Sequence, residues 1–338
     1  MLEKPELPDD EIIGCLRHRY GVGVVELAFL PLGADRDTAV YRAAAGDGAL
    51  FFVKLRKGAF DETAVMLPRF LYEQGIPQII APLVTTTGRL WEDLGAFKVM
   101  VYPFVTGRDA YAVPLADRQW VDLGRALRRI HAVVLPPALS GHIQRESYAP
   151  QWRETVKTYL DRAPAGVFDD PVAAKTAALL REQRTVILDL VGRTERLAQV
   201  LIDRSPEFVL CHADIHAGNL LIQDDGRFYI VDWDNPLLAP KERDLMSIGA
   251  GLMGGWRSPQ EEERLFYQGY GSTTLDSAAL AYYRYERIID DIAVFCEQLL
   301  GTTEGGEDRE QSLTYLLSNF APAGTIEIAC ASDATRAR

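Results

Sequence analysis

The stretch VLCHADIHAGNLLI, Val209–Ile222, runs from an apolar strand into a polar loop and out into a second apolar strand. Asp214 and Asn219 stand on that loop five residues apart, and thirteen residues after Asn219 the segment YIVDWD places Asp232 at the end of a third short strand. Phosphoryl transfer from a nucleotide needs one group to orient the attacking hydroxyl and accept its proton. It also needs oxygen ligands for a Mg²⁺ ion that bridges the phosphates. Asp214 suits the first task; Asn219 and Asp232 suit the second. A turn satisfied by chance polar residues explains neither the spacing nor the third carboxylate. His212 and His216 are four apart with Cys211 nearby. A zinc reading would need both imidazoles on one helix face, and the flanks read as strands. His212 is expected instead to brace the loop through hydrogen bonds, and His216 to lie near the acceptor hydroxyl or pack locally.

Working outward, the N-terminal third should supply a lysine for the nucleotide phosphates. From Val22 to Leu55 the segments VGVVELAFL, TAVYRAA and ALFFVKL are rich in Val, Phe and Tyr and separated by Gly/Asp turns, the pattern of an antiparallel meander. Lys54 sits inside the third of them, where a charge in an apolar strand is costly without a partner. Asp61, Glu62 and Glu73 flank the helical stretch that follows. Glu62, opening it at a position that could face the strand, is the expected partner. The turn around Gly33 would cover the phosphates with backbone N–H groups. Two more strands are expected near 78–84 and 96–103, so this part reads as a sheet with one main helix. At the junction VMVYPFVTG, Pro103 offers a carbonyl and Val105 an N–H to an adenine edge.

Beyond Gly107 the period changes to that of helices, starting with LADRQWVDLGRALRRIHAV. The division expected is an N-terminal nucleotide-binding lobe over 1–105 and a larger, mostly helical catalytic and substrate-binding lobe over 106–338. The class is α+β. The chain carries 36 Lys plus Arg against 48 Asp plus Glu, a formal charge of −12. That balance repels nucleic acid and anionic membrane surfaces and favours a cationic partner. No apolar run reaches the length of a membrane span, and the N-terminus lacks the pattern of a signal peptide, so a cytoplasmic protein is expected. Cys15, Cys211, Cys296 and Cys330 have no paired spacing, which fits reduced, packed thiols. The sequence sets no oligomeric state.

With these residues in hand, the chain resembles the aminoglycoside phosphotransferase and choline-kinase-like group of protein-kinase-fold enzymes, and within it the spectinomycin (aminoglycoside 9-) phosphotransferase subgroup. The resemblance runs almost end to end, through LGADRDTAVYR, FFVKLRKGAFDE, WRETVKTYL, VDWDNPLLAPKERDLMSIG and YYRYERIIDDIAVFCEQLL. It implies a bilobal protein-kinase-like fold, Asp214 as catalytic base, Asn219 and Asp232 as magnesium ligands and Lys54 as the phosphate-binding lysine. It further implies Asp244 as a structural brace of the loop and His131 as a structural histidine. The reaction implied is MgATP-dependent phosphorylation of the 9-hydroxyl of spectinomycin, a small cationic aminocyclitol.

Glu286, Asp290 and Asp291 lie on one predicted helix, the first two as like charges at i, i+4. One reading places them at the substrate cleft, paired with ammonium groups. The other is a solvated face on which Arg287 compensates Asp291. Competing functions are a kinase of another aminoglycoside, choline or homoserine, and a pseudokinase that binds nucleotide without turnover. The presence together of Lys54, Asp214, Asn219 and Asp232 argues against the last.

Overall fold

The alternation in the N-terminal third becomes a five-stranded antiparallel sheet in the computed structural model, which describes residues 4–31, 37–163, 168–302, 306–322 and 324–334. Its strands run in the order Val24–Leu30, Thr38–Ala45, Leu50–Lys57, Phe97–Pro103 and Glu92–Leu94. Successive residues of a strand face opposite sides of the sheet. In the central strand Val53 and Leu55 are fully buried in a core with Tyr41, Val99 and Val101, which the helix Asp9–Tyr20 caps with Ile12 and Leu16. Each such buried aliphatic side chain contributes roughly 1.5–3 kcal/mol. Lys54, between them, points from the other face, registered between Val40 and Met100. Gly21 ends the helix Asp9–Tyr20 in a left-handed conformation, φ 69°, with its N–H donated back to Leu16.

The segment 78–84, read as a strand, joins no sheet. Pro82, inside it, withholds one of the N–H groups a ladder needs. The run serves burial instead, through Ile79. The fifth strand is Glu92–Leu94, paired with Phe97–Pro103.

The chain divides into two compact units, Met1–Gln144 with His216–Leu237, and Arg145–Ile215 with Leu238–Arg338. The first therefore extends beyond residue 105. Leu220–Ile222 ladders with Phe228–Ile230 on one side and with Arg108–Asp109 on the other, which ties 216–237 to it. It also contains the helix Asp117–His131, whose Arg129 donates to the carbonyls of Gly75 and Gln74.

The second unit is built on the long helix Ser277–Leu300. Asp276 caps its start, accepting the N–H groups of Ala278 and Ala279. Tyr282, Tyr283, Tyr285, Ile289 and Ile292 are buried among the helices Gln151–Arg162, Pro171–Glu182 and Arg184–Arg204. At its far end the buried Arg309 donates to the carbonyls of Gln298 (2.8 Å), Leu299 (2.9 Å) and Thr302 and pairs with Asp170. These are the carbonyls that a helix C-terminus leaves without partners. Cys15, Cys211 and Cys296 are buried free thiols, and Cys330 is half-buried. Among the described residues no helix is long and apolar enough to cross a membrane.

Arg309→Ala removes the donor to three carbonyls at the helix end at once, charge-assisted hydrogen bonds worth about 1.5–3 kcal/mol each. Its melting temperature should fall by several degrees in calorimetry. A melting temperature equal to the parent's would contradict this reading of the helix end.

Candidate active site

In the sheet unit, the ammonium of Lys54 donates to both carboxylate oxygens of Asp234 at 2.7 Å. The pair is only partly exposed, 18% for the lysine and 33% for the aspartate. Lys54 thus pairs with Asp234, not with the expected Glu62. Glu62 occupies the N-cap position of the helix Thr63–Glu73, whose first turn is held by Asp61 accepting the Thr63 N–H. Tyr102, on the neighbouring strand, has its phenol pushed up by burial, with Asp234 and Asp232 adding to the effect. Pro103 ends that strand exposed, and Val105 is half-buried just beyond it. Gly33 lies outside the described residues.

The chain passes from the helical unit to the sheet unit between Ile215 and His216. On the sheet side, His216 Nδ1 accepts the Gly218 N–H at 3.0 Å and opens the short 3₁₀ turn Ala217–Asn219. A Cβ at Gly218 would come within 2.8 Å of His216 Cε1, so a larger residue there would displace the imidazole. The buried Asn219 accepts the Val231 N–H through its own carbonyl at 3.0 Å, which sets it beside the residue preceding Asp232. Asp232 has φ 66°, a left-handed conformation that costs a non-glycine residue about 1–2 kcal/mol. Next to it the buried Trp233 donates its indole N–H to Ile230 at 3.0 Å. One backbone contact and one anchored tryptophan therefore hold an amide oxygen and a carboxylate on adjacent segments. Hard oxygen donors of this kind fit Mg²⁺.

On the helical side the loop is pinned by Asp244. Its carboxylate, wholly buried, accepts the N–H groups of His212 at 3.0 Å and Ala213 at 2.7 Å. Ala213 sits at φ 71°, and the two charge-assisted bonds offset the cost of that conformation. The Asp214 N–H donates to His212 Nδ1 at 3.3 Å, and Ser247 Oγ donates to the Ile215 carbonyl. His212 is 1% exposed, so its ring is part of the loop's support.

Arg287 of the long helix pairs with Asp214 and, at 3.2 Å, with Asp291 one turn on. Burial works against the charge of this guanidinium, and Asp291, Asp214 and Asp290 hold it protonated. Of the three acids read as substrate contacts, Glu286 is taken up by the buried Arg153 at 2.9 Å, which also donates to the Tyr148 carbonyl at 2.7 Å. Burial nevertheless pushes the Glu286 carboxyl up to about 7 against the pull of Arg153. Asp291 is engaged with Arg287. Asp290 is half-buried and makes no ion pair among the described residues. Burial pushes its carboxyl up to about 6, with Arg287 opposing and Asp291 reinforcing the rise. Arg287 and Asp291 also line a small recess bounded by Met246 and by Thr325 and Ile328 of the C-terminal helix Thr325–Ala334.

Three of these partners lay outside the sequence reading. Asp234 was signalled by the D-W-D repeat, two residues after Asp232. Arg153 stands 133 positions from Glu286 and the Arg287–Asp214 pair spans 73, separations that no local pattern encodes.

A sheet with one main helix, a helical unit, and a strand–loop–strand bearing Asp214, Asn219 and Asp232 define a phosphotransferase of protein-kinase-like fold. Residues 28–283 match the family described as "Phosphotransferase enzyme family", and the chain belongs to it. It is similar to the crystallised spectinomycin phosphotransferase APH(9)-Ia in complex with ADP and spectinomycin. Identity is 35%, coverage 98% of this chain and 99% of that one, and the TM-score 0.90. At 14% identity it shares its fold with an aminoglycoside phosphotransferase from Alicyclobacillus acidocaldarius (TM-score 0.61, covering 98% and 96% of the two chains). At 16% it shares it with choline kinase LicA from Streptococcus pneumoniae (TM-score 0.54, covering 91% and 97%). Comparison with curated protein sequences finds no match.

Asp244→Ala leaves two buried N–H groups without an acceptor, each costing about 1–3 kcal/mol. It should lower both the melting temperature and turnover, whereas parent-like values of both would remove Asp244 from the account. A second expectation concerns pH. The folded-state pKa of Asp290 lies above its ordinary value of 3.8, so its contribution to stability falls as pH rises from there to about 6. Asp290→Asn should therefore gain stability relative to the parent across that window in denaturant titrations. A stability difference constant between pH 4 and pH 7, the bounds of roughly that window, contradicts the assignment.

Proposed function

We propose that this enzyme transfers the γ-phosphoryl group of MgATP to the 9-hydroxyl of spectinomycin, inactivating the antibiotic. The observation that carries the reading is the end-to-end likeness, at 35% identity, to a spectinomycin phosphotransferase crystallised with ADP and spectinomycin. The quoted stretches around Asp232 and on the long helix, which hold the site residues described above, lie within the span of that likeness. A cationic aminocyclitol also suits a chain of net charge −12.

In this mechanism Asp214 hydrogen-bonds the acceptor hydroxyl and takes its proton as the oxygen attacks phosphorus. Lys54, held in its strand and already beside Asp234, turns its charge to the nucleotide phosphates. Asn219 and Asp232 would hold Mg²⁺, which when bound neutralises charge on the phosphate oxygens. Backbone groups at Pro103 and Val105 would meet the adenine edge, and the turn at Gly33 would cover the phosphates. Asp290, which makes no ion pair among the described residues, is the acid best suited to an ammonium group of the acceptor. Glu286 keeps Arg153, and Asp291 serves through Arg287. Such charge-assisted contacts are worth about 1.5–3 kcal/mol each, roughly tenfold or more in affinity.

ADP release with MgATP should be measured across a panel of hydroxylated amines that includes spectinomycin, other aminoglycosides, choline and homoserine. Spectinomycin is expected to dominate in kcat/KM, and Asp214→Ala to abolish its turnover while leaving ATP binding intact. Asp290→Asn should raise KM for spectinomycin roughly tenfold and spare KM for ATP. Preference for another member of the panel would overturn the acceptor assignment.

A further inference from the structure

We propose that Arg287 is a positioning residue for the catalytic base, the middle member of a chain Asp291–Arg287–Asp214 that sets the orientation of the Asp214 carboxylate. The inference rests on Asp214 acting as the base. Asp214 is 40% exposed, and the contacts that brace its loop, from Asp244, His212 and Ser247, act on backbone atoms. They set where the residue begins, whereas Arg287 acts on the carboxylate itself. Arg287 meets that carboxylate through Nη1 at Oδ1. A guanidinium is planar and directional, so its grip sets orientation as well as charge.

The arginine is itself held. Its Nε forms an ion pair with Asp291 Oδ1 at 3.2 Å, and the next two residues of its helix, Ile288 and Ile289, are buried. Burial alone would make the charge expensive, and carboxylates on two elements, the long helix and the loop, compensate it. A catalytic group must be held to about half an ångström and 10–20° by neighbours whose own rotamers are locked. The ion pairs Asp291–Arg287 and Arg287–Asp214 place such a neighbour on the Asp214 carboxylate. Arg287 touches neither nucleotide nor acceptor in this scheme and acts through Asp214.

The test is a double-mutant cycle in kcat on the acceptor that the parent turns over, spectinomycin or another member of the panel. An inert spectinomycin thus overturns the acceptor assignment while leaving the arginine to be judged. Arg287→Met is expected to lower kcat roughly a hundredfold, the scale of a displaced reacting group, with KM for ATP unchanged within about twofold. Arg287→Lys should recover part of the loss. In an Asp214→Asn background, Arg287→Met should cost less than about twofold more, because a residue that acts through another adds nothing once that one is gone. Should Arg287→Met fail to fold, Arg287→Lys and Asp291→Asn carry the same cycle. Parent-like kcat, or losses that multiply in the double variant, would overturn the proposal.

Discussion

A single buried carboxylate, Asp244, holds the entry to the active loop. Its two oxygens take the N–H groups of His212 and Ala213, which lets Ala213 adopt a left-handed φ and turns the chain sharply after the strand Val209–Cys211. A buried charge with two peptide donors is strongly held, and breaking it exposes both donors and the charge to an apolar surround. Fixed contacts recur at the other end of the segment, where Asn219 is tied by its carbonyl to Val231 and Trp233 is anchored on Ile230. Strain at Ala213 and Asp232 is confined to two residues, each beside a fixed contact.

Much of this was legible from the residues. Alternation of Val, Phe and Tyr marked the sheet, the 3.6-residue period marked the helices, and the loop between Val209 and Ile222 has the strand–loop–strand form that its composition suggests. What was illegible was long-range pairing. Lys54 in an apolar strand demanded an acid, but the local choice, Glu62, lies at a helix start, and the partner is Asp234, 180 residues away. Three acids on one helix looked alike in sequence. Arg153 and Arg287 distinguish them, leaving Asp290 as the one without an ion pair among the described residues. Segment 78–84 shows the converse limit, since apolar composition demands burial and a proline decides whether that burial comes as a strand.

Charge is distributed to match the chemistry. Arg153 is matched to the largely buried Glu286 and Arg287 to Asp214 and Asp291, and burial raises the Asp290 carboxyl toward neutrality. A cation arriving there would find a carboxylate that gains by ionising. Under the proposed function, an acidic chain would meet a cationic acceptor there without a large exposed field.

The central claim, that the Asp214 loop directs phosphoryl transfer to one hydroxyl of a cationic aminocyclitol, is tested most directly by locating the phosphate on the product. After incubation with MgATP and spectinomycin, phosphorus and proton nuclear magnetic resonance should find a single monophosphate on the 9-hydroxyl, formed in step with ADP. Inorganic phosphate as the sole product, or phosphate on a different hydroxyl, would contradict it.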